Sequence, residues 1–258
     1  MIELSWGEQI FMMEKSLDHD YILHMCKTVE ENFKKIKYNI EETAIKCGRN
    51  PDDITLLAAT KTVNPEIINY LISKGLNYIG ENKVQELLDK YNDLNLSSCK
   101  VDLIGHLQTN KVKKIIDKVN MIQSVDSIKL AKCISDLSKQ HGICMNILIE
   151  VNIGKEKNKS GILPEQLDEA LDEICKLDNI NVKGLMAIPP ICKKKEENVE
   201  YFDKMHKIFI DINSKKMHNS DIDILSMGMS DSYLQAILCG STMVRIGSAL
   251  FGPRGYQV

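Results

Sequence analysis

Two stretches of this chain place reactive or anion-binding residue types where a fold would expose them. At 56–63 the sequence reads "LLAATKTV", a run of small and apolar residues that ends on Lys61. Lysine is rarely buried without a partner. If the run is a strand, its last residues reach the end of a sheet, where ligands gather. Partial desolvation there lowers an amine's pKa and makes it a nucleophile for aldehydes, with which it forms a Schiff base. A lysine in such a place also serves to hold a phosphate, and placement alone does not choose between the two. The second stretch, "SMGMSDS" at 226–232, turns from an apolar run towards a helix, with Ser230 and Asp231 near the helical start.

"RIGS" at 245–248 repeats that arrangement of a glycine and a hydroxyl close to the C-terminus. Exposed N–H groups at such turns attract anions, and glycine admits them close to the backbone. Ordinary helix capping by Ser230 or Asp231 explains one such turn, but not two at corresponding places. Arg245 stands inside an otherwise apolar run, and a buried guanidinium needs an acceptor. Two partners compete for it: a carboxylate such as Glu150, or the ring nitrogen of a ligand. An amine, a phosphate cradle and an arginine together suit an aldehyde that carries a phosphate and a basic ring. Pyridoxal 5′-phosphate (PLP) has those three handles.

Regular elements must bring these residues together. From Tyr21 to Cys47, Ile22, Cys26, Val29, Phe33, Ile36 and Ile40 recur at spacings of three and four, the apolar stripe of an amphipathic helix. Beyond it, apolar strand-like runs alternate with helical patterns: "ITLLAAT", "NYIGEN", "VDLIGHL", "MIQSVD", "CMNILIEVNI", "VKGLMAI", "DILSMGMS" and "TMVRIGSALFG". The connection "NKVKKIIDKV" between the third and fourth runs reads as one of the helices. Such alternation indicates a parallel sheet covered on its faces, and eight units in this length predict a (β/α)8 TIM barrel rather than a doubly wound open sheet. The chain ends soon after the eighth run, so the helix over 21–47 is expected to pack on the barrel in the missing eighth position. Residues 1–20 are read as an N-terminal extension, disordered or partly helical, and 21–258 as a single barrel. In such a barrel the strand C-termini form the site, with phosphate held after the seventh and eighth strands.

The bulk properties narrow the partners. Lys+Arg 33 against Asp+Glu 36 gives a net charge of -3, a weak field that argues against nucleic acid. All but Arg49, Arg245 and Arg254 of those cations are lysines, whose ordinary role is solvation. The eight cysteines show no Cys-x-x-Cys spacing, and the closest pair, Cys133 and Cys144, fits reduced thiols in a cytoplasmic protein better than a metal site. The first twenty residues lack a signal peptide's cationic and apolar regions, and no stretch reaches membrane-spanning length.

The blocks "LLAATKTVNPEIINYLISKGLNYIGENKVQE", "LIGHLQTNK", "VNIGKEKNKSGILPE", "GLMAIPP" and "LSMGMSDSYLQAILCGSTMVRIGSALFG" occur in the order found in one known family. From about residue 25 onward the chain resembles the YggS/PROSC family of PLP-binding proteins, related to the N-terminal barrel of alanine racemase. The resemblance implies that Lys61 is the Schiff-base lysine and that Asn82 of "GEN" lies at the cofactor's mouth. It implies that Ser230, Gly247 and Ser248 hold the phosphate with Met227 nearby, and that Arg245 faces the pyridine nitrogen. The sequence departs from the family at Val101 and Asp102, where an aromatic–His pair is common, at Ser248 in place of a frequent threonine, and at Lys83 in place of a frequent aromatic. His106 of "IGHLQ" admits two roles, a base near the cofactor or a structural hydrogen-bonder at a strand end, and the second is expected.

An arginine at the ring nitrogen disfavours ring protonation and weakens PLP as an electron sink. Alanine racemase draws a catalytic tyrosine from a second domain, for which no sequence follows Val258 here. The expected function is therefore a non-catalytic, monomeric PLP carrier acting in PLP (vitamin B6) homeostasis, with PLP-dependent apoenzymes as recipients and no membrane partner. The alternative is a racemase-like PLP enzyme using Lys61 as a base. A third reading, a class I aldolase-like barrel, has Lys61 attacking a phosphorylated sugar.

Overall fold

The structure, a computed structural model, describes residues 6–190 and 195–253. Eight parallel strands close into a barrel: β1 (Thr55–Ala59), β2 (Tyr78–Glu81), β3 (Lys100–Leu103), β4 (Met121–Val125), β5 (Met145–Val151), β6 (Ile180–Ala187), β7 (Ser220–Ser226) and β8 (Met243–Ile246). Closure runs through the register Leu56↔Val244 and Leu57↔Arg245, which puts the end of β8 beside the end of β1. The expected TIM barrel is thus the fold of this chain.

Successive residues of a strand point to opposite faces, and the burial pattern follows. Ala58 belongs to the large apolar core between sheet and helices, while Leu57 and Ala59 belong to a small cluster inside the barrel. That inner cluster, completed by Ile104, Met121, Leu148, Met186 and Met243, does not fill the interior alone. Other inward positions are polar: Asp102, Gln123, Glu150, Ser226 and Arg245, all buried.

The helices form where local signals start them. Asn64 accepts from the Glu66 N–H at 2.8 Å with Pro65 in the first position, opening α2 (Pro65–Ser73). Helix α1 (Trp6–Lys46) runs unbroken through the boundary drawn at residue 20, while residues 1–5 of that extension lie outside the described residues. Its buried stripe, Val29, Phe33, Ile36 and Ile40, contributes about 1.5–3 kcal/mol per large side chain removed from water. Asn32 donates to the Leu250 carbonyl and Asn39 to the Tyr233 hydroxyl, at 3.0 and 3.1 Å. These bonds tie α1 to α7 (Tyr233–Leu238) and α8 (Ser248–Phe251), so it fills the eighth helical position that the four-residue α8 leaves open.

One connection departs from expectation. The stretch between β3 and β4 is a 3₁₀ segment, Thr109–Lys114, rather than an α-helix. Its residues close i→i+3 bonds, such as Ile115 N–H to Val112 C=O at 3.0 Å, and this tighter winding lays Val112, Ile115 and Ile116 on the barrel within a short crossover. No helix among the described residues is long and apolar enough to cross a membrane, and no group of His, Cys, Asp or Glu among them is placed to hold a metal ion.

Candidate functional site

A cavity of about 1340 Å³ opens at the C-terminal ends of the strands. Lys61, Asn82, Ser230, Arg245, Gly247 and Ser248 all line it. Six of the seven residues expected at the site are therefore brought together. The seventh, Met227, is the correction: its side chain is fully buried in the outer core, and Met229 lines the mouth instead. The reason is local. Ser226 ends β7 facing inward, so Met227 faces outward, and Gly228 then turns at φ +92° where a Cβ would meet Ala236 at 2.5 Å.

Lys61 follows the last residues of β1 in a half-buried turn. Thr62, next to it, has φ 62°, a conformation costly for a β-branched residue. Carboxylates and a lysine outside the sheet hold that turn. The Thr62 N–H donates to Glu86 of α3 (Val84–Lys90), and Lys90 Nζ donates to the same carboxylate at 2.7 Å. Lys90 also reaches the Thr60 carbonyl at 3.0 Å and Glu81 at 3.3 Å, while Thr60 Oγ1 donates to Glu81 at 2.7 Å. Burial pushes the Glu81 carboxyl up against the pull of Lys90 and Thr60. Burial also acts to raise Glu86, but the bonds from Lys90 and Thr62 outweigh it and bring that carboxyl below its usual value.

On the opposite side, Ser230 Oγ accepts the N–H groups of Gly247 and Ala249 at 3.2 and 3.1 Å. Two backbone donors thus converge on one oxygen at the start of α8, the geometry of an anion nest. A Cβ built on Gly247 would meet nothing closer than Ala59 at 3.6 Å. The protein's own packing therefore leaves that position open on the cavity side. Asn82 faces the same space, and its Oδ1 is buried with no hydrogen-bond partner among the described residues. Gly105 lets the end of β3 lie against it, since a Cβ there would fall 2.2 Å from the Asn82 carbonyl oxygen.

Arg245 is 4% exposed. Its NH1 donates to Ser226 Oγ at 2.7 Å and its NH2 to the Ala187 carbonyl at 3.0 Å. Of the two partners considered for it, Glu150 is not in ion-pair contact among the described residues and acts only at longer range. Burial lowers the Arg245 pKa to about 10, with Glu150 opposing, so the group stays cationic at neutral pH. Glu150 itself is pushed up to about 7 by burial and by Asp126, against the pull of Arg245 and His106. His106 Nδ1 lies 3.1 Å from Asp126 and 3.2 Å from Ser160 Oγ, outside the cavity lining.

Sequence reasoning missed the apolar rim, where Ile188 and Met229 join Ile22 and Met25 of α1. It also missed the brace of Glu81, Glu86 and Lys90. The available signal was the i, i+4 pair Glu86–Lys90 immediately after "GEN".

Comparison with known proteins identifies the family. The family described as "Alanine racemase, N-terminal domain" matches residues 32–255. A pyridoxal phosphate homeostasis protein of Aquifex aeolicus is 39% identical over 88% of this chain and 98% of its own length. The Escherichia coli K12 protein of the same name is 36% identical over 89% of this chain and 98% of its own length. PipY of Synechococcus elongatus, solved with PLP bound, superposes with a TM-score of 0.73 at 27% identity, covering 83% of this chain and 100% of that one. Alanine racemase of Clostridium difficile, at 16% identity and a TM-score of 0.70, covers 90% of this chain and 58% of its own and shares the fold alone. With a mouth of this composition and relatives matched along almost their whole length, the chain belongs to the pyridoxal phosphate homeostasis protein family, within the alanine racemase N-terminal-domain family.

Proposed function

We propose that this protein binds PLP through a Schiff base on Lys61 and acts in PLP homeostasis as a carrier without catalytic turnover. The observation that carries the reading is the convergence on one cavity of an amine, a two-donor anion nest, a cationic guanidinium and an Asn82 oxygen without a partner among the described residues. These residues fit the group. When bound, PLP supplies an aldehyde for reversible imine formation and a pyridine ring that withdraws electrons.

The chain's own residues do the rest. The brace at Thr62 orients Lys61 towards the mouth, while the amides of Gly247 and Ala249, with Ser230 and Ser248, would hold the phosphate. Arg245 spends two N–H donors on Ser226 and Ala187, and would offer a remaining one to the ring nitrogen's lone pair. A cation that keeps its own proton leaves that nitrogen unprotonated, which suits holding better than turnover. Met227 contributes through its place in the outer core rather than by contact.

The test is the absorption spectrum of the purified chain before and after PLP is added, beside Lys61→Ala. A visible band present in the wild type and lost in the variant is expected; no band with added PLP would favour the sugar-phosphate reading. A panel of D- and L-amino acids is expected to show no interconversion, and turnover abolished by Lys61→Ala would establish the racemase-like enzyme instead. In the same reading the carrier is a cytoplasmic monomer and PLP-dependent apoenzymes receive its cargo, so mixing loaded protein with an apoenzyme should restore that enzyme's activity.

A further inference from the structure

Inside the barrel a line of hydrogen bonds leads from Arg245 to the far side of the sheet. Arg245 NH1 donates to Ser226 Oγ at 2.7 Å, and Ser226 Oγ donates to Gln123 Oε1 at 2.8 Å. Gln123 Nε2 donates to Asp102 Oδ2 at 2.7 Å and faces the sulfur of Met243 at 3.1 Å. The other Asp102 oxygen accepts from Asn120 Nδ2 at 3.2 Å, which also lies 3.3 Å from the Tyr78 hydroxyl. Asp102, Gln123 and Ser226 are each fully buried, on three different strands.

The direction of every donor in this line is set from one end. The Met243 thioether can only accept, so the Gln123 nitrogen faces it and, beside it, Asp102 Oδ2, and an ionised Asp102 enforces the same orientation. The Gln123 oxygen is thereby turned to Ser226, and the Ser226 hydroxyl spends its proton there. Its lone pair is then the one available to the guanidinium. Reversing the amide would set its oxygen against the carboxylate. We propose that Asp102 is a positioning residue for Arg245, acting through Gln123 and Ser226. What the guanidinium then meets, the ring of bound PLP, rests on the function proposed above.

The test uses the full chain and reads Arg245 directly. Only Arg49, Arg245 and Arg254 are arginines, so the side-chain Nε–H region of a 1H–15N spectrum is sparse, and Arg245→Lys assigns the signal. In the unloaded protein, Asp102→Leu is expected to move and broaden the Arg245 resonance while leaving that of Arg49 in place. Asp102→Asn, which can keep an oxygen towards Gln123, is expected to restore most of the wild-type position. If Asp102→Leu does not fold, Gln123→Met cuts the line one link later without changing charge and is expected to move the same resonance. An Arg245 signal unmoved by these substitutions, but moved by Ser226→Ala, overturns the assignment and leaves Asp102 a buried structural group.

With PLP added, Asp102→Leu and Ser226→Ala are each expected to raise the dissociation constant about tenfold, and the double variant no further, because both cut one line. Factors that multiply in the double variant count against a shared line. A wild type with no visible band that Lys61→Ala removes would overturn the PLP reading, while the resonance of the unloaded chain would still decide the role of Asp102.

Discussion

Two polar networks flank the mouth, and they are built on opposite principles. Outside the sheet, Glu81, Glu86 and Lys90 crowd their charges within 3.3 Å and grip backbone atoms of Thr60 and Thr62. Inside the barrel, Arg245 and Asp102 are kept apart by two neutral links, Gln123 and Ser226. The outer network fixes a piece of main chain, for which strong pairing is an advantage. The inner one fixes a side chain whose donors have to remain available, and direct pairing with a carboxylate would consume them. In the function proposed for Arg245, that separation leaves guanidinium donors for a ligand.

Substitutions can break that contrast at either end. The largest effect is expected at the residue the outer network serves: Lys61→Ala should remove the visible band and weaken PLP retention by about a hundredfold or more, measured by equilibrium dialysis. Next is Lys90→Met, which leaves two neighbouring carboxylates, one fully buried, without their cation. A loss on the order of 3 kcal/mol in urea unfolding is expected, together with slower loading of Lys61. A loss below 1 kcal/mol would show that the brace adds little beyond packing.

The inner network should reveal itself through pH. Burial raises Asp102 to about 7 from an ordinary 3.8, against the donors Gln123 and Asn120. Between those values the folded state holds a proton that the unfolded state has released. Stability from this group is therefore greatest in acid and declines as pH rises to about 7. Asp102→Asn should gain on the wild type by about 2 kcal/mol between pH 5 and 8, with Glu150 sustaining a residual slope. Parallel pH profiles for the two proteins would contradict the raised carboxyl. The smallest change is expected from Thr62→Gly, which relieves a positive φ but frees the unfolded chain. The net should stay within about 1 kcal/mol in either direction, with PLP binding weakened only a few-fold.

Much of this molecule can be read from its sequence, for identifiable reasons. Apolar runs bounded by turn residues reveal the eight strands, because parallel strands covered on both faces are mostly apolar. Lys61, Ser230 and Gly247 are legible because strand ends and glycine–hydroxyl turns have local signatures. The line from Asp102 to Arg245 is not, since it depends on which side chains meet across β3, β4, β7 and β8, and inter-strand register leaves no local mark. Met227 entered through the resemblance alone, and strand parity from Ser226 turns it outward, while Met229 lies beyond the turn at Gly228, where parity no longer applies. The start of α1 at Trp6 is not sharply marked in the sequence, where residues 1–20 read as disordered or partly helical, because the apolar stripe of a packed helix is clearest only from Ile22 onward.

The hydroxyl of Ser230 already satisfies the two amides at the start of α8. An arriving phosphate would enter an exchange, replacing or joining one oxygen with another, and the net gain is smaller than filling bare donors would give. The same balance works in reverse on departure, when the serine takes the amides back and no donor is stranded. The nest thus has its own counterweight, which would keep both arrival and departure shallow in free energy, as the proposed carrier role requires.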